Sequence, residues 1–312
     1  MEIGVTLPTV GPVAFREFIL QAARLADEAG LHSVWTSDHV VLPKDRGRST
    51  YPFPQSEQGT WYFYEPGIDW LDPVAVMGFV AGGTERITVG TSILVVPYRN
   101  PLVLANEMAT VDRLSEGRAI LGIGAGWLVE EFEALGVPSK ARGRRTDEYV
   151  AAMRHLWSSD KPTSFEGEFV NFTDVQLATR PHTPGGPPIW VGGLSPATFK
   201  RVATLADGWI AFDLTPLEMA EGGARIRELA ADAGRGDASF TMSARLGLVP
   251  EGMSDFYPDR PGIRGSHQAM LEHMLTYADS GTDLLILDLG LPMDEMVPTL
   301  EWLATDAASK VR

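Results

Sequence analysis

Short β-branched and aliphatic runs alternate along this chain with longer stretches in which apolar residues recur every three or four positions, a βα rhythm. Strands are predicted at residues 3–7, 33–36, 87–95, 119–123, 189–191, 209–212, 240–248 and 284–287. Helices are predicted at 14–29, 73–81, 102–114, 129–135, 146–157, 196–206, 217–233, 267–280 and 293–307, with glycine, proline or asparagine marking the ends. Eight strands alternating with helices predict an α/β chain folded as a (β/α)8 TIM barrel. An open doubly wound sheet more often has fewer strands and an early dinucleotide fingerprint. The expectation is a single domain over residues 1–312, with insertion loops at the C-terminal face of the strands. Two stretches exceed ordinary connections, about 40–70 and 158–188, and such excursions tend to be lids or pocket walls. In the second, Ser164-Phe165 and residues 169–172 flank Glu166-Gly167-Glu168, the pattern of a small hairpin.

Composition narrows the chemistry. The 26 basic and 41 acidic residues leave a formal charge of −15, which repels nucleic acid and anionic lipid and favours a small-molecule substrate. With no cysteine there is no disulfide, thiolate nucleophile or Cys-ligated metal. No apolar run is long enough to cross a membrane, and residues 1–8 lack the features of a secretory signal, so a cytoplasmic protein is expected.

In a (β/α)8 barrel the chemistry sits where strands end. Asp38-His39 is the sharpest pair there, because a fixed histidine exchanges protons near neutral pH; a capping aspartate beside a structural histidine fits the same letters. Gly122-Ile-Gly-Ala-Gly126 lacks the spacing of a nucleotide-binding Gly-x-Gly-x-x-Gly; it either lets a flat ring approach the backbone or forms a tight turn. Gly192-Gly193-Leu-Ser195 opens a helix whose first backbone N–H groups suit a phosphate. The aromatics of Trp61-Tyr-Phe-Tyr64 and Trp70 either cover a conjugated ligand or pin their own loop. Asp213 and Asp288 follow further strands. The histidines show no metal-binding spacing and there is no Gly-x-Ser-x-Gly elbow, so neither a metal site nor an acyl-transfer nucleophile is expected.

Ser37-Asp38-His39, Gly90-Thr-Ser-Ile-Leu94, Tyr98-Arg-Asn-Pro101, Asp112–Arg118, Leu121–Trp127, Glu130-Glu-Phe132, Trp190-Val-Gly-Gly193 and Ala206-Asp-Gly-Trp209, in this order, resemble the bacterial luciferase-like monooxygenase family. Gly126-Trp127 followed by Glu130-Glu131-Phe132 and residues 142–147 is most similar to its deazaflavin-dependent branch. That resemblance implies an oxidoreductase transferring a hydride between coenzyme F-420 and a small organic substrate. An FMN-dependent monooxygenase is the alternative, and a non-catalytic flavin-binding protein a third. It implies His39 as proton-transfer residue with Asp38 fixing it, and a non-prolyl cis peptide at Ser92-Ile93 beneath the ring. It also places the ring and its side chain along Gly124, Ala125, Gly126 and Trp127, the phosphate at Gly192, Gly193 and Ser195, and Asp38 at the cofactor. The deazaflavin sugar-phosphate dehydrogenases of the family carry Thr and Glu where this chain has Ala125 and Trp127, and Asn where it has Glu130, which points to a bulkier, more apolar substrate site. Arg142, Arg144 and Arg145 are candidates for the acidic tail of coenzyme F-420, and pairing as a homodimer through helices near strands 2 and 3 is expected.

Overall fold

The computed structural model describes residues 1–45, 47–49, 67–255, 258–291 and 293–311; the predicted aromatic cover Trp61, Tyr62, Phe63 and Tyr64 lies outside them. The first half runs β1 (Glu2–Thr6), α1 (Arg16–Glu28), β2 (Ser33–Thr36), α2 (Pro73–Ala81), β3 (Thr88–Thr91), β4 (Leu94–Val95), α3 (Pro101–Leu114), β5 (Ala119–Gly124), α4 (Val129–Ala134) and α5 (Arg142–Trp157). It continues through β6 (Thr163–Glu166), β7 (Asn171–Val175), β8 (Ile189–Gly192), α6 (Pro196–Leu205), β9 (Gly208–Phe212), α7 (Pro216–Asp232), β10 (Thr241–Pro250) and β11 (Gly262–Gly265). The last elements are α8 (His267–Asp279), β12 (Leu284–Asp288), α9 (Met293–Trp302) and α10 (Ala308–Val311).

Eight of these strands pair in parallel in the ring β1, β2, β3, β5, β8, β9, β10, β12, and β12 returns to β1 with Ile3 opposite Leu285. This is the closed (β/α)8 barrel. Parallel strands buried on both faces read as continuous apolar runs, which is why Ala119–Gly124 is buried throughout. Trp35, Ile120, Trp190, Ile210, Leu284 and Ile286 pack together as one cluster, with the Trp35 and Trp190 rings 5.3 Å apart. A larger apolar cluster draws on both strands and helices.

Four helices begin with the same local device. Asp72, Asn100, Ser195 and Thr215 cap helices whose next residue is proline, so the side-chain oxygen takes an orphan N–H while proline presets the first helical φ. The hairpin foreseen in the second insertion is β6 against β7, with Phe165 opposite Phe172. Two of the departures from the sequence reading bear on the barrel mouth. The helix expected at 146 begins at Arg142, after Ala141 in a left-handed conformation (φ 66°), and Thr146 sits inside it, donating to the Arg142 carbonyl at 2.9 Å. The single strand expected over 87–95 is broken into β3 and β4 at Ser92-Ile93, whose peptide bond is cis, as the family resemblance implied.

Candidate active site at the barrel mouth

His39 follows β2 and is buried. Its Nδ1 lies 2.6 Å from Oε2 of Glu131, a fully buried carboxylate on α4. That carboxylate also accepts from the Tyr98 hydroxyl at 3.0 Å and from the backbone N–H groups of Val40 and Val41 at 2.7 and 3.1 Å. A carboxylate surrounded by four donors acts as an acceptor, so Nδ1 carries the hydrogen toward Glu131. Burial and the neighbouring charges of Glu131 and Asp38 push the Tyr98 hydroxyl far up, which keeps it a donor. The imidazole stands edge-on to Trp70 at 4.6 Å and to Trp127 at 6.3 Å. Trp70 is itself tied down by an indole N–H donated to the Ser37 carbonyl at 3.1 Å.

Asp38 does something other than hold its neighbour. Its buried carboxylate accepts from the Val95 N–H at 2.8 Å and from Arg99 at 2.7 and 2.9 Å, and Arg99 continues to Asp72, the cap of α2. Consecutive side chains at a strand end project to different sides, so Asp38 secures β4 while Glu131 takes His39. Sequence reasoning missed Glu131 as a partner, having noted it only within the Glu130-Glu131-Phe132 mark. Its one local signal is a carboxylate next to a buried phenylalanine on a helix of six residues. The same helix holds the outgoing loop twice more: Glu130 accepts from the Arg48 N–H and the Ser49 hydroxyl, and Glu133 from the Arg48 guanidinium.

Ser92 donates its N–H to the Thr36 carbonyl at 2.7 Å, and the half-buried Ile93 side chain lodges between two glycines. A Cβ on Gly124 would lie 2.5 Å from Ile93 Cδ1, and one on Gly192 2.5 Å from Ile93 Cγ2. Glycine at these two positions leaves room for the Ile93 side chain, a contact that neither reading of the Gly122–Gly126 run had foreseen. Ala125, Gly126 and Trp127 form a half-buried rim beside them. Ser195 caps the ten-residue α6 by accepting the Thr198 N–H at 3.1 Å, and Gly193 is held by the Trp209 indole, which donates to its carbonyl at 2.8 Å.

The basic cluster divides. Arg142 donates to the Gly126 carbonyl at 3.0 Å, within the rim. Arg144 pairs with Glu168 on the hairpin, and Arg145 lies over the Phe169 ring at 4.5 Å. Arg201 of α6 donates to the Gly143 carbonyl at 3.1 Å, which brings the first turn of α5 against α6.

Opposite β2 in the ring stands β9, followed by Asp213, and next to it β10, which carries Arg245. Arg245 reaches across the barrel to the Ser92 carbonyl on the β3 side, lies over the Phe212 ring at 5.5 Å and pairs with Asp288 of β12 at 2.8 Å. Asp213 has a left-handed backbone (φ 52°), its N–H is donated to the Arg245 carbonyl, and its carboxylate pairs with Arg260 at 3.1 Å. Burial pushes the Asp213 carboxyl up to about 6, with Arg260 opposing and Asp288 assisting the rise.

A buried histidine on a buried carboxylate, a cis bulge after the third strand and a capped helix beyond the Gly-Gly turn are thus gathered on one end of the barrel. The chain is 33% identical to a protein of Amycolatopsis mediterranei named F-420-dependent glucose-6-phosphate dehydrogenase, over 62% of this chain and 53% of that one. It spans less than two thirds of that relative and of an uncharacterized Mycobacterium tuberculosis protein to which it is 32% identical. Its fold matches an F-420-dependent secondary alcohol dehydrogenase in complex with an F-420–acetone adduct (TM-score 0.81, 19% identity, 100% and 99% of the two chains covered). It also matches the oxygenating constituent of 3,6-diketocamphane monooxygenase from Pseudomonas putida in complex with FMN (TM-score 0.75, 16% identity, 100% and 99% covered). Residues 1–251, spanning seven of the eight barrel strands and every mouth residue named here except Arg260 and Asp288, match the model of the luciferase-like monooxygenase family, and the chain belongs to that family.

Proposed function

We propose that this chain is an oxidoreductase that transfers a hydride between coenzyme F-420 and a small organic substrate, with His39 moving the accompanying proton. The observation that carries this reading is the His39–Glu131 pair, a proton-exchanging ring with its tautomer fixed, at the mouth of the barrel. The residues present fit a deazaflavin. Ile93, Trp127 and Phe212 give half-buried apolar surface for a conjugated ring, and the capped N-terminus of α6 with Gly192 and Gly193 suits a phosphate. Among the three arginines Arg142 reaches the rim itself, which makes it the first candidate for an acidic tail. When bound, the deazaflavin supplies a carbon that accepts or donates hydride. His39 takes the proton released when a substrate hydroxyl or amine is oxidised, or returns it in the reverse direction. Glu131 holds the ring, Tyr98 and the Val40 and Val41 N–H groups hold Glu131, and Trp70 packs edge-on against the imidazole.

Fluorescence titration of the purified protein with oxidised and reduced coenzyme F-420 and with FMN tests the reading. Saturable quenching by coenzyme F-420 and weaker binding of FMN are expected. Preferential binding of FMN, which the resemblance to an FMN-containing neighbour makes the natural competitor, would turn the assignment to oxygen activation.

A further inference from the structure

We infer that the wall of the mouth facing His39 selects an uncharged alcohol or carbonyl compound and rejects phosphate esters, with Asp213 and Asp288 as the residues that decide it. This deepens the reading above and rests on it for the reaction, though not for the selectivity. Among the described residues two guanidiniums stand on that wall, each with a carboxylate beside it: Arg245 with Asp288, Arg260 with Asp213. The positive and negative charges cancel in pairs. An arriving phosphate dianion would meet the two carboxylates as well as the two arginines, and its attraction to one pair of charges is offset by repulsion from the other.

Geometry holds the carboxylates where they neutralise. Asp213 is locked by its left-handed backbone and by its N–H on β10, and the segment after it is fixed by the Tyr277 hydroxyl donated to the Leu214 carbonyl at 2.8 Å. Arg245 is held on three sides, by Ser92, Phe212 and Asp288, and spans the mouth as part of its floor. Beside the surface given to the cofactor ring, a substrate meets Trp70, charged groups that are paired with one another, and His39. That set fits a neutral molecule bearing one oxygen to be oxidised or reduced.

The test reads anion binding, so it does not depend on turnover. Calorimetric titration with sulfate, a dianion across the useful pH range, compares the wild type with the Asp213→Asn/Asp288→Asn double variant; sulfate held at the N-terminus of α6 counts equally in both. The variant should bind sulfate about tenfold or more tightly for each carboxylate removed, and adding Arg260→Ala should abolish the part of the gain that Asp213→Asn contributes. Asparagine tolerates the left-handed backbone at position 213, so the single Asp213→Asn variant provides a second, gentler measurement. In the wild type, sulfate affinity should rise as pH falls through about 6, more steeply than in Asp213→Asn. The groups facing Asp213 in that titration are Arg260, Arg245, Asp288 and Tyr277. Identical isotherms for wild type and double variant, or a wild-type sulfate site that Arg260→Ala already removes at neutral pH, would overturn the inference. Failure of coenzyme F-420 to bind would overturn the proposed reaction and leave this comparison to be decided by sulfate.

Discussion

On the β2 side of the mouth four donors converge on one carboxylate, Glu131, and one of them is the ring of His39. On the side of β9, β10 and β12, among the described residues, two arginines each face an aspartate. The first arrangement concentrates hydrogen bonds on a single acceptor so that one ring has one orientation. The second spreads charge until little is left over. On the function proposed above, the first side serves proton exchange and the second the selection of a neutral molecule.

The largest effect expected on this contrast is at His39. His39→Ala should lower turnover with coenzyme F-420 by about 10²–10⁴-fold while changing cofactor affinity only a few-fold, as steady-state kinetics beside a fluorescence titration would show. Turnover near wild type would mean that another group moves the proton and would dissolve the distinction between the two sides. Glu131→Gln comes next. The amide cannot accept from all four donors, so we expect kcat to fall by about 10–100-fold with a smaller change in KM, an altered pH profile and recovery in Glu131→Asp only where the shorter arm still reaches His39. An unchanged pH profile would reduce Glu131 to a loop anchor.

A third effect belongs to the opposite side and needs no substrate. Because the folded Asp213 carboxyl sits at about 6, above its usual 3.8, the folded state binds a proton more readily than the unfolded chain. The stability this contributes is fully present below the usual 3.8 and is lost as pH rises from there through about 6, a change of up to about 3 kcal/mol. In chemical denaturation at a series of pH values, wild type should lose stability relative to Asp213→Asn as pH rises across this interval; parallel curves would refute the buried, proton-binding Asp213. The smallest effect lies between the two sides. Gly124→Ala places a methyl against Ile93 and should cost about 1–3 kcal/mol, and Ile93→Ala in the same chain should recover part of it. Strictly additive losses in melting temperature would show that Gly124 serves something other than the seat of Ile93.

Much of the fold was legible because it is written locally. Barrel strands are continuous apolar runs, and Asp72-Pro73, Asn100-Pro101, Ser195-Pro196 and Thr215-Pro216 announce helix starts through the side chain and ring of neighbouring residues. The place of His39 was legible too, since a strand end in such a barrel is a position in the mouth. The start of α5 was not, because Arg142 follows a left-handed alanine with no capping side chain to mark it.

The sequence by itself determined the alternation of strands and helices, the break at Ser92-Ile93 through its resemblance to the family, and which residues stand at the strand ends. Only the tertiary structure decided who meets whom there. Glu131 is 92 residues from His39 and Arg245 is 153 residues from Ser92, and nothing in either stretch marks the other. Periodicity and capping act within a few residues along the chain, whereas a hydrogen bond across the mouth exists only once the eighth strand closes on the first and fixes every side of the ring at once.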